Sequence, residues 1–219
     1  MSRSAIALLL AGAFLLGGCM QATLAPTSDA SMTSRDRQLL AHPPYAQAAV
    51  AESASQNIAV IATEGTVGGG AYQTAIHRIN PSARVTSRAC SLFVSMAEEG
   101  WISGPIAEAV ARRYLDPIFQ TDDAPDTLVL GCTHFPALAA AIRTVLPPQV
   151  SLVDSAATTA AAVLRQLHGA SAAAGASTAP GPRGTVTWLA TDGAARFARV
   201  GSTFLGEALH AESVEIIDL

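Results

Sequence analysis

The chain contains few charged, aromatic or cysteine residues. Of its 219 residues, 14% are charged and 5% are aromatic, and the net charge is −4. These shortages, with no run of basic residues, argue against nucleic acid as the main partner, because nucleic-acid-binding proteins cluster basic and aromatic side chains. Three cysteines do not make a disulfide framework,. The absence of a Cys-x-x-Cys pair disfavours a thiol redox protein.

The apolar run near the start, Ala5 to Leu16, is too short to span a bilayer,. It ends in Leu16-Gly17-Gly18-Cys19, which is typical of a secretory signal and resembles a bacterial lipoprotein lipobox,. We therefore expect residues 1–19 to be a signal peptide and Cys19 to be lipidated, anchoring the protein to a membrane and facing the periplasm or exterior. Residues 20–42 are expected to be a flexible tether. The alternative is a mis-assigned start on a cytoplasmic protein.

Half of the residues are hydrophobic, so a sizeable core is expected,. Apolar runs alternate with helical patterns, which predicts an α/β fold with a parallel sheet covered on both faces. Asp154 and Asp192 are predicted helix N-caps, and residues 169–183, rich in Ala, Gly, Ser and Pro, are predicted to be a flexible insertion. The predicted strands are 57–62, 84–86, 128–130, 150–153, 185–191 and 214–218; the predicted helices are 45–53, 70–79, 105–114, 137–146, 156–168 and 194–200, with a turn at 63–66 and a helical turn at 93–99.

Residues 128–136 are the most informative stretch. The buried strand predicted at 128–130 ends on Gly131, where the backbone can turn sharply, and Pro136 favours the start of a helix,. Cys132 therefore lies between a strand end and a helix N-terminus, where α/β proteins bind ligands and where a thiol pKa is lowered. The alternative is a buried, inert cysteine in a tight turn.

Several motifs, in a consistent order, are similar to one protein family. They are Ile61-Ala62-Thr63-Glu64-Gly65-Thr66, Ala89-Cys90-Ser91-Leu92-Phe93-Val94 with Glu98-Glu99-Gly100-Trp101, Gly131-Cys132-Thr133-His134-Phe135-Pro136, Val153-Asp154-Ser155-Ala156, and Leu189-Ala190-Thr191-Asp192 with Arg196-Phe197 and Gly201. From about Pro43 to Leu219 the sequence resembles the glutamate racemases, within the cofactor-independent aspartate/glutamate racemase group. The resemblance implies a racemase-like α/β domain at residues 43–155, and a return segment of a partial second α/β domain at residues 156–219.

The resemblance also implies roles for individual residues. Cys132 matches the family's second catalytic cysteine, the base toward L-glutamate, and His134 matches the histidine that assists it. Glu98 matches an assisting carboxylate, although on sequence alone a solvated helix charge next to Glu99 is the better explanation. Thr133 with His134 matches a substrate-contacting pair. The residues Thr63, Gly65 and Thr66 could hold a substrate carboxylate or merely cap a helix.

Racemisation without a cofactor needs two acid/base groups on opposite faces of the substrate Cα. The family's first cysteine motif, Ala-Cys-Asn-Thr, does not occur in these residues. Cys90 matches a different family position and is a poor substitute. We therefore expect hydrogen exchange at most, with little or no inversion.

Two functions follow as expectations. The first is L-glutamate/D-glutamate interconversion for peptidoglycan precursors, with no metal, pyridoxal phosphate or nucleotide. The second is a membrane-anchored, catalytically incomplete relative that binds an acidic amino acid or acts as a scaffold. The sheet of the partial second domain would be truncated, and a truncated sheet exposes an edge and apolar surface. The segment after Gly169 is therefore expected either to pack on the intact domain or to join a partner chain, for example in a homodimer.

Overall fold

The computed structural model describes residues 43–173 and 185–218, and the side chains of residues 43–165 and 185–218. The helices are α1 (Pro44–Glu52), α2 (Glu64–Gly69), α3 (Ala71–Ile79), α4 (Leu92–Glu98), α5 (Gly104–Phe119), α6 (Ala139–Val145), α7 (Ser155–Ala173) and α8 (Ala194–Leu205). The strands are β1 (Asn57–Ala62), β2 (Arg84–Ala89), β3 (Thr127–Leu130), β4 (Ser151–Asp154), β5 (Trp188–Ala190) and β6 (Val214–Ile216), and short 3-10 turns span Phe135–Leu138 and Ala211–Ser213.

Within the described residues, the main sheet is parallel and has the strand order β2-β1-β3-β4. The register pairs Ala62 with Ala89 and Ile61 with Leu130. The carboxyl ends of β1, β2 and β3 therefore lie at one edge of the sheet. The chain passes from β1 to β2 on one side and then returns to β3 on the other, so the winding direction reverses between β1 and β3. Such a reversal opens a crevice at the carboxyl ends of the two strands.

Both faces of this sheet are covered, as the sequence predicted. Successive residues of β1 point to opposite faces, so Ile58 lies on one face of the sheet and Ile61 on the other. One face packs against α4, α5 and α6, and the opposite face packs against α1 and α3. All six β1 residues are buried, which explains the uninterrupted apolar run from Ile58 to Ala62.

The C-terminal part forms a smaller unit. Strands β5 and β6 pair in parallel, and α8 packs on them through Phe197, Ala198 and Val214. This unit also meets the main domain, where α8 contacts α4. The contact of α8 with α4 corresponds to packing on the intact domain, one of the two arrangements expected for the segment after Gly169.

Several local predictions need correction. Residues 64–66, predicted as part of a turn, lie in the short helix α2, and the helix predicted from residue 137 begins as a 3-10 turn. The N-cap of α8 is Gly193, with φ +60°, rather than Asp192. Strand β5 is shorter than predicted.

The described helix α7 continues to Ala173, five residues into the predicted insertion. The predicted signal peptide, Cys19, the whole of the predicted tether, and residues 174–183 lie outside the described residues. Among the helices that the structure describes, none is both long and apolar enough to cross a membrane.

Candidate functional site

The candidate site lies at the carboxyl edge of the main sheet. Thr63 follows β1, Cys90 follows β2 and Gly131 follows β3. The backbone holds these ends together, because Cys90 N donates to Ala62 O at 2.8 Å and Gly131 N donates to Ile61 O at 2.7 Å. Thr63 and Cys132 therefore flank the place where the winding direction reverses.

Gly131 allows this close approach. A Cβ atom at position 131 would lie 2.9 Å from Ile61 O, closer than real Cβ contacts allow, and would lie 3.0 Å from the Tyr72 ring. Thr133, the residue after Cys132, is exposed. Phe135 is fully buried, and its ring meets the Phe93 ring edge-on, with 5.3 Å between the two centroids. The cysteine turn is thus fixed at its start by Gly131 and at its end by Phe135.

Cys132, His134 and Glu98 come together in the structure. Cys132 Sγ lies 3.8 Å from His134 Nδ1, and Cys132 is only 7% exposed. On the other side of the imidazole, His134 Nε2 lies 3.4 Å from Glu98 Oε1. Burial lowers the pKa of His134, and Arg196 lowers it further, whereas Glu98 opposes both effects. The neutral imidazole is therefore favoured and can accept a proton from the thiol.

Glu98 is not the freely solvated helix charge that its sequence position also allowed. Its side chain is 23% exposed, and Oε2 accepts a hydrogen bond from Arg196 Nη2 at 2.6 Å. The backbone carbonyl of Glu98 also accepts a bond from Arg199 Nη1 at 2.7 Å. The ring of Phe204 meets the His134 ring edge-on at 5.7 Å. Helix α8 therefore supplies three residues to the surroundings of the site.

The predicted substrate-contacting residues occupy two places. Thr133 and His134 lie in the cysteine turn, with Thr133 exposed. Thr63, Gly65 and Thr66 lie at the end of β1 and the start of α2. Thr63 holds the N-cap position of α2, but its hydroxyl makes no capping bond there and instead lies 3.1 Å from Thr66 Oγ1. The paired hydroxyls and the exposed Gly65 backbone remain suited to a carboxylate.

Cys90 has a different environment from Cys132. Its side chain is fully buried in the main core, and Sγ faces Arg88 O at 3.8 Å. Burial raises the pKa of the Cys90 thiol to about 12, although Arg88 opposes the effect. This thiol stays protonated near neutral pH, which agrees with the sequence-based view that it is a poor acid/base partner. Across residues 43–173 and 185–218, no group of three or more His, Cys, Asp or Glu residues could hold a metal ion.

Sequence reasoning did not assign roles to Arg196, Arg199 and Phe204. Arg196 stood in a family-like motif, but a charge about 100 positions from Glu98 gives no signal of the pairing. The i, i+3 spacing of Arg196 and Arg199 was the one available clue, because it places both on one face of a helix.

Comparisons with known proteins show the family to which the chain is similar. The Asp/Glu/Hydantoin racemase family profile matches residues 40–163. A glutamate racemase of Geobacter metallireducens is 43% identical over 166 residues, covering 76% of this chain and 59% of the relative. A glutamate racemase of Koribacter versatilis is 37% identical over 194 residues, covering 80% and 65%. The chain therefore spans less than two thirds of the length of these curated relatives.

The chain is also similar to a solved structure. A crystal structure of glutamate racemase from Francisella tularensis, in complex with D-glutamate, superposes with a TM-score of 0.63 at 31% identity. The superposition covers 80% of this chain and 62% of that one.

Proposed function

Because the chain belongs to the Asp/Glu/hydantoin racemase family, we propose that it acts on glutamate as an amino-acid isomerase-type protein. The proposed chemistry is cofactor-independent removal and return of the α-proton by a cysteine. The relatives named as glutamate racemases support the choice of substrate. The product, D-glutamate, would enter peptidoglycan precursor synthesis, as the family resemblance implies.

One observation carries the proposal. Cys132 Sγ and His134 Nδ1 lie 3.8 Å apart at the carboxyl edge of the sheet. His134, kept neutral by burial, takes the thiol proton, and the resulting thiolate removes the α-proton from L-glutamate. Glu98, at 3.4 Å from His134 Nε2, stabilises the imidazolium that forms. Thr63 and Thr66, with backbone N–H groups at the start of α2, are the proposed contacts for a substrate carboxylate.

Inversion requires a second acid/base group on the opposite face of Cα. Cys90 is unsuited, because its thiol pKa is about 12. We therefore propose that residues 43–218 provide one side of the reaction, the side of Cys132. On this proposal the purified chain exchanges the α-proton of L-glutamate and inverts it little.

The test follows the α-proton in heavy water. The purified full chain is incubated separately with L-glutamate and D-glutamate, proton NMR records loss of the Cα signal, and chiral chromatography records inversion. Exchange of L-glutamate alone is the expected result. Inversion at a rate equal to exchange would contradict the one-sided scheme, and no exchange with either enantiomer would contradict the enzymatic proposal.

Two cysteine variants provide matched controls. Cys132→Ala is expected to abolish exchange, by at least about 100-fold, because it removes the base. Cys90→Ala removes the buried thiol and is expected to leave the exchange rate within about twofold of wild type, after correction for the folded fraction. Equal losses in both variants would indicate a loss of structure rather than of chemistry.

A second candidate function rests on the lipobox-like Leu16-Gly17-Gly18-Cys19. In this alternative the protein is a membrane-anchored relative that binds an acidic amino acid without turnover, or acts as a scaffold. Incorporation of labelled palmitate into the full chain in bacteria, lost in Cys19→Ser, is expected if the anchor forms. Calorimetry with L- and D-glutamate then separates binding from scaffolding.

A further inference from the structure

The two carboxylate oxygens of Glu98 contact different side chains. Oε1 faces His134 Nε2 at 3.4 Å, and Oε2 accepts a 2.6 Å hydrogen bond from Arg196 Nη2. The carboxylate is thus shared between the main domain and helix α8 of the C-terminal unit. The His134 side chain is 12% exposed and the Arg196 side chain 57%, so the arginine holds the pair from the solvent side.

The position of Glu98 in its own helix does not favour this arrangement. Glu98 is the last residue of α4, where the carbonyl groups leave a partial negative charge that repels a carboxylate. The adjacent Glu99 is exposed and adds a like charge. Without another attachment, the flexible Glu98 side chain is expected to turn toward water.

Helix α8 supplies that attachment through more than one contact. Arg199 Nη1 donates to Glu98 O at 2.7 Å, which fixes the backbone from which the carboxylate extends. Phe204, one turn beyond, packs against the main core and its ring meets His134 at 5.7 Å. Arg196 therefore extends from a helix that contacts the main domain at two further points, Arg199 and Phe204.

We propose that Arg196 is a positioning residue that holds the Glu98 carboxylate against His134. It acts through Glu98, and it couples the C-terminal unit to the protonation of the imidazole next to Cys132. The chemical meaning of this role rests on the proposed function, but the first measurement does not require turnover.

The direction of the expected change follows from the groups that face His134. These are Glu98 from α4, Arg196 from α8 and Cys132 from its own turn. Attraction to Glu98 raises the pKa of His134 more than repulsion from Arg196 lowers it. If loss of Arg196 releases Glu98 from His134, the larger attraction is lost together with the smaller repulsion, and the pKa of His134 falls. If Glu98 stays in place without Arg196, only the repulsion disappears and the pKa rises.

The experiment is an NMR titration of the full chain labelled at histidine with carbon-13. His134→Gln assigns the His134 signal among the five histidines of the sequence. Arg196→Met is expected to lower the pKa of His134 by about 0.5, and Arg196→Lys, which keeps the charge, to lower it by less. In a Glu98→Gln background, Arg196→Met is expected to cause no fall. Arg113→Met, at an exposed position of helix α5, is the matched control and should have no effect.

A rise or no change in the pKa of His134 in Arg196→Met would overturn the proposal. An equal fall of that pKa on adding Arg196→Met in the Glu98→Gln background would also overturn it. If Arg196→Met does not fold, as judged by circular dichroism, Arg196→Gln replaces it with the same expectation.

Kinetics provide a second readout. Where the wild type exchanges L-glutamate, Arg196→Met is expected to reduce kcat about tenfold with KM nearly unchanged. Absence of exchange in the wild type would defeat the proposed function while leaving the titration able to decide this one.

Discussion

At the scale of single residues, Gly131 fixes the start of the turn that carries Cys132. A Cβ atom there would lie 2.9 Å from Ile61 O and 3.0 Å from the Tyr72 ring. Gly131→Ala is expected to reduce the free energy of unfolding by about 1–3 kcal/mol, because backbone and ring must both shift. Urea unfolding measures the change. Gly68→Ala, with open space around the new methyl group, is the control and should be neutral or slightly stabilising.

The buried thiol of Cys90 makes a second residue-scale prediction. Its folded pKa, about 12, lies above the unfolded value of about 8.5. The thiol therefore adds to stability below about pH 8.5, and this contribution is lost as the pH rises toward 12. Stability curves of wild type and Cys90→Ala should converge over that alkaline range. Peptide mapping after iodoacetamide at pH 8 should show Cys90 unmodified in the folded chain and modified in urea.

At the scale of elements, the Asp154 side chain caps the N-terminus of the long helix α7. Its Oδ1 accepts hydrogen bonds from Ala156 N at 2.7 Å and Ala157 N at 3.2 Å. Asp154→Ala is expected to cost about 1 kcal/mol, and to speed amide exchange at the first turn of α7. Asp192→Ala is a matched control, because Gly193 and not Asp192 caps α8. Equal losses in the two variants would contradict this assignment.

The main elements could be predicted because their signals are local. The apolar run of β1, the Gly-Cys turn after β3 and the Asp154 cap all appear within a few neighbouring residues. The helix α2 was missed because Gly65, Gly68 and Gly69 are typical of turns, although the helix lies next to β1 and β2. Asp192 was chosen over Gly193 because a side-chain cap is the commoner pattern, whereas this helix starts from a left-handed glycine.

The candidate site could be predicted only in part. Cys132 and His134 share one turn, and their proximity follows from spacing. The role of Glu98 depends on which way α4 faces, and that of Arg196 depends on how α8 docks. Both are set by long-range packing, which the local sequence pattern does not encode.

At the scale of the whole molecule, the C-terminal unit is joined to the main domain by polar contacts around Glu98 and by Phe204. The two-stranded sheet β5–β6 is marginally stable alone. If a protease site is introduced at residues 174–184 and cleaved, the C-terminal fragment should remain bound at low salt. In about 1 M NaCl, which screens the exposed arginine contacts, the fragment should dissociate. Size-exclusion chromatography measures this.

Arg196→Met should release the fragment at lower salt than wild type, whereas Arg113→Met should not. A fragment that stays bound at every salt concentration would indicate that the apolar contact of Phe204 dominates the attachment.

The two tryptophans of the sequence fall one in each unit. Trp101 follows α4, with its amide bonded to Met96 O at 2.8 Å and 57% of the residue exposed. Trp188 lies in β5, with its ring 6.3 Å from Phe197. Intrinsic fluorescence therefore contains two spatially separate signals. With Trp101 replaced by Phe, the remaining emission reports only on the small sheet, and a stopped-flow trace can time its docking independently of the main domain.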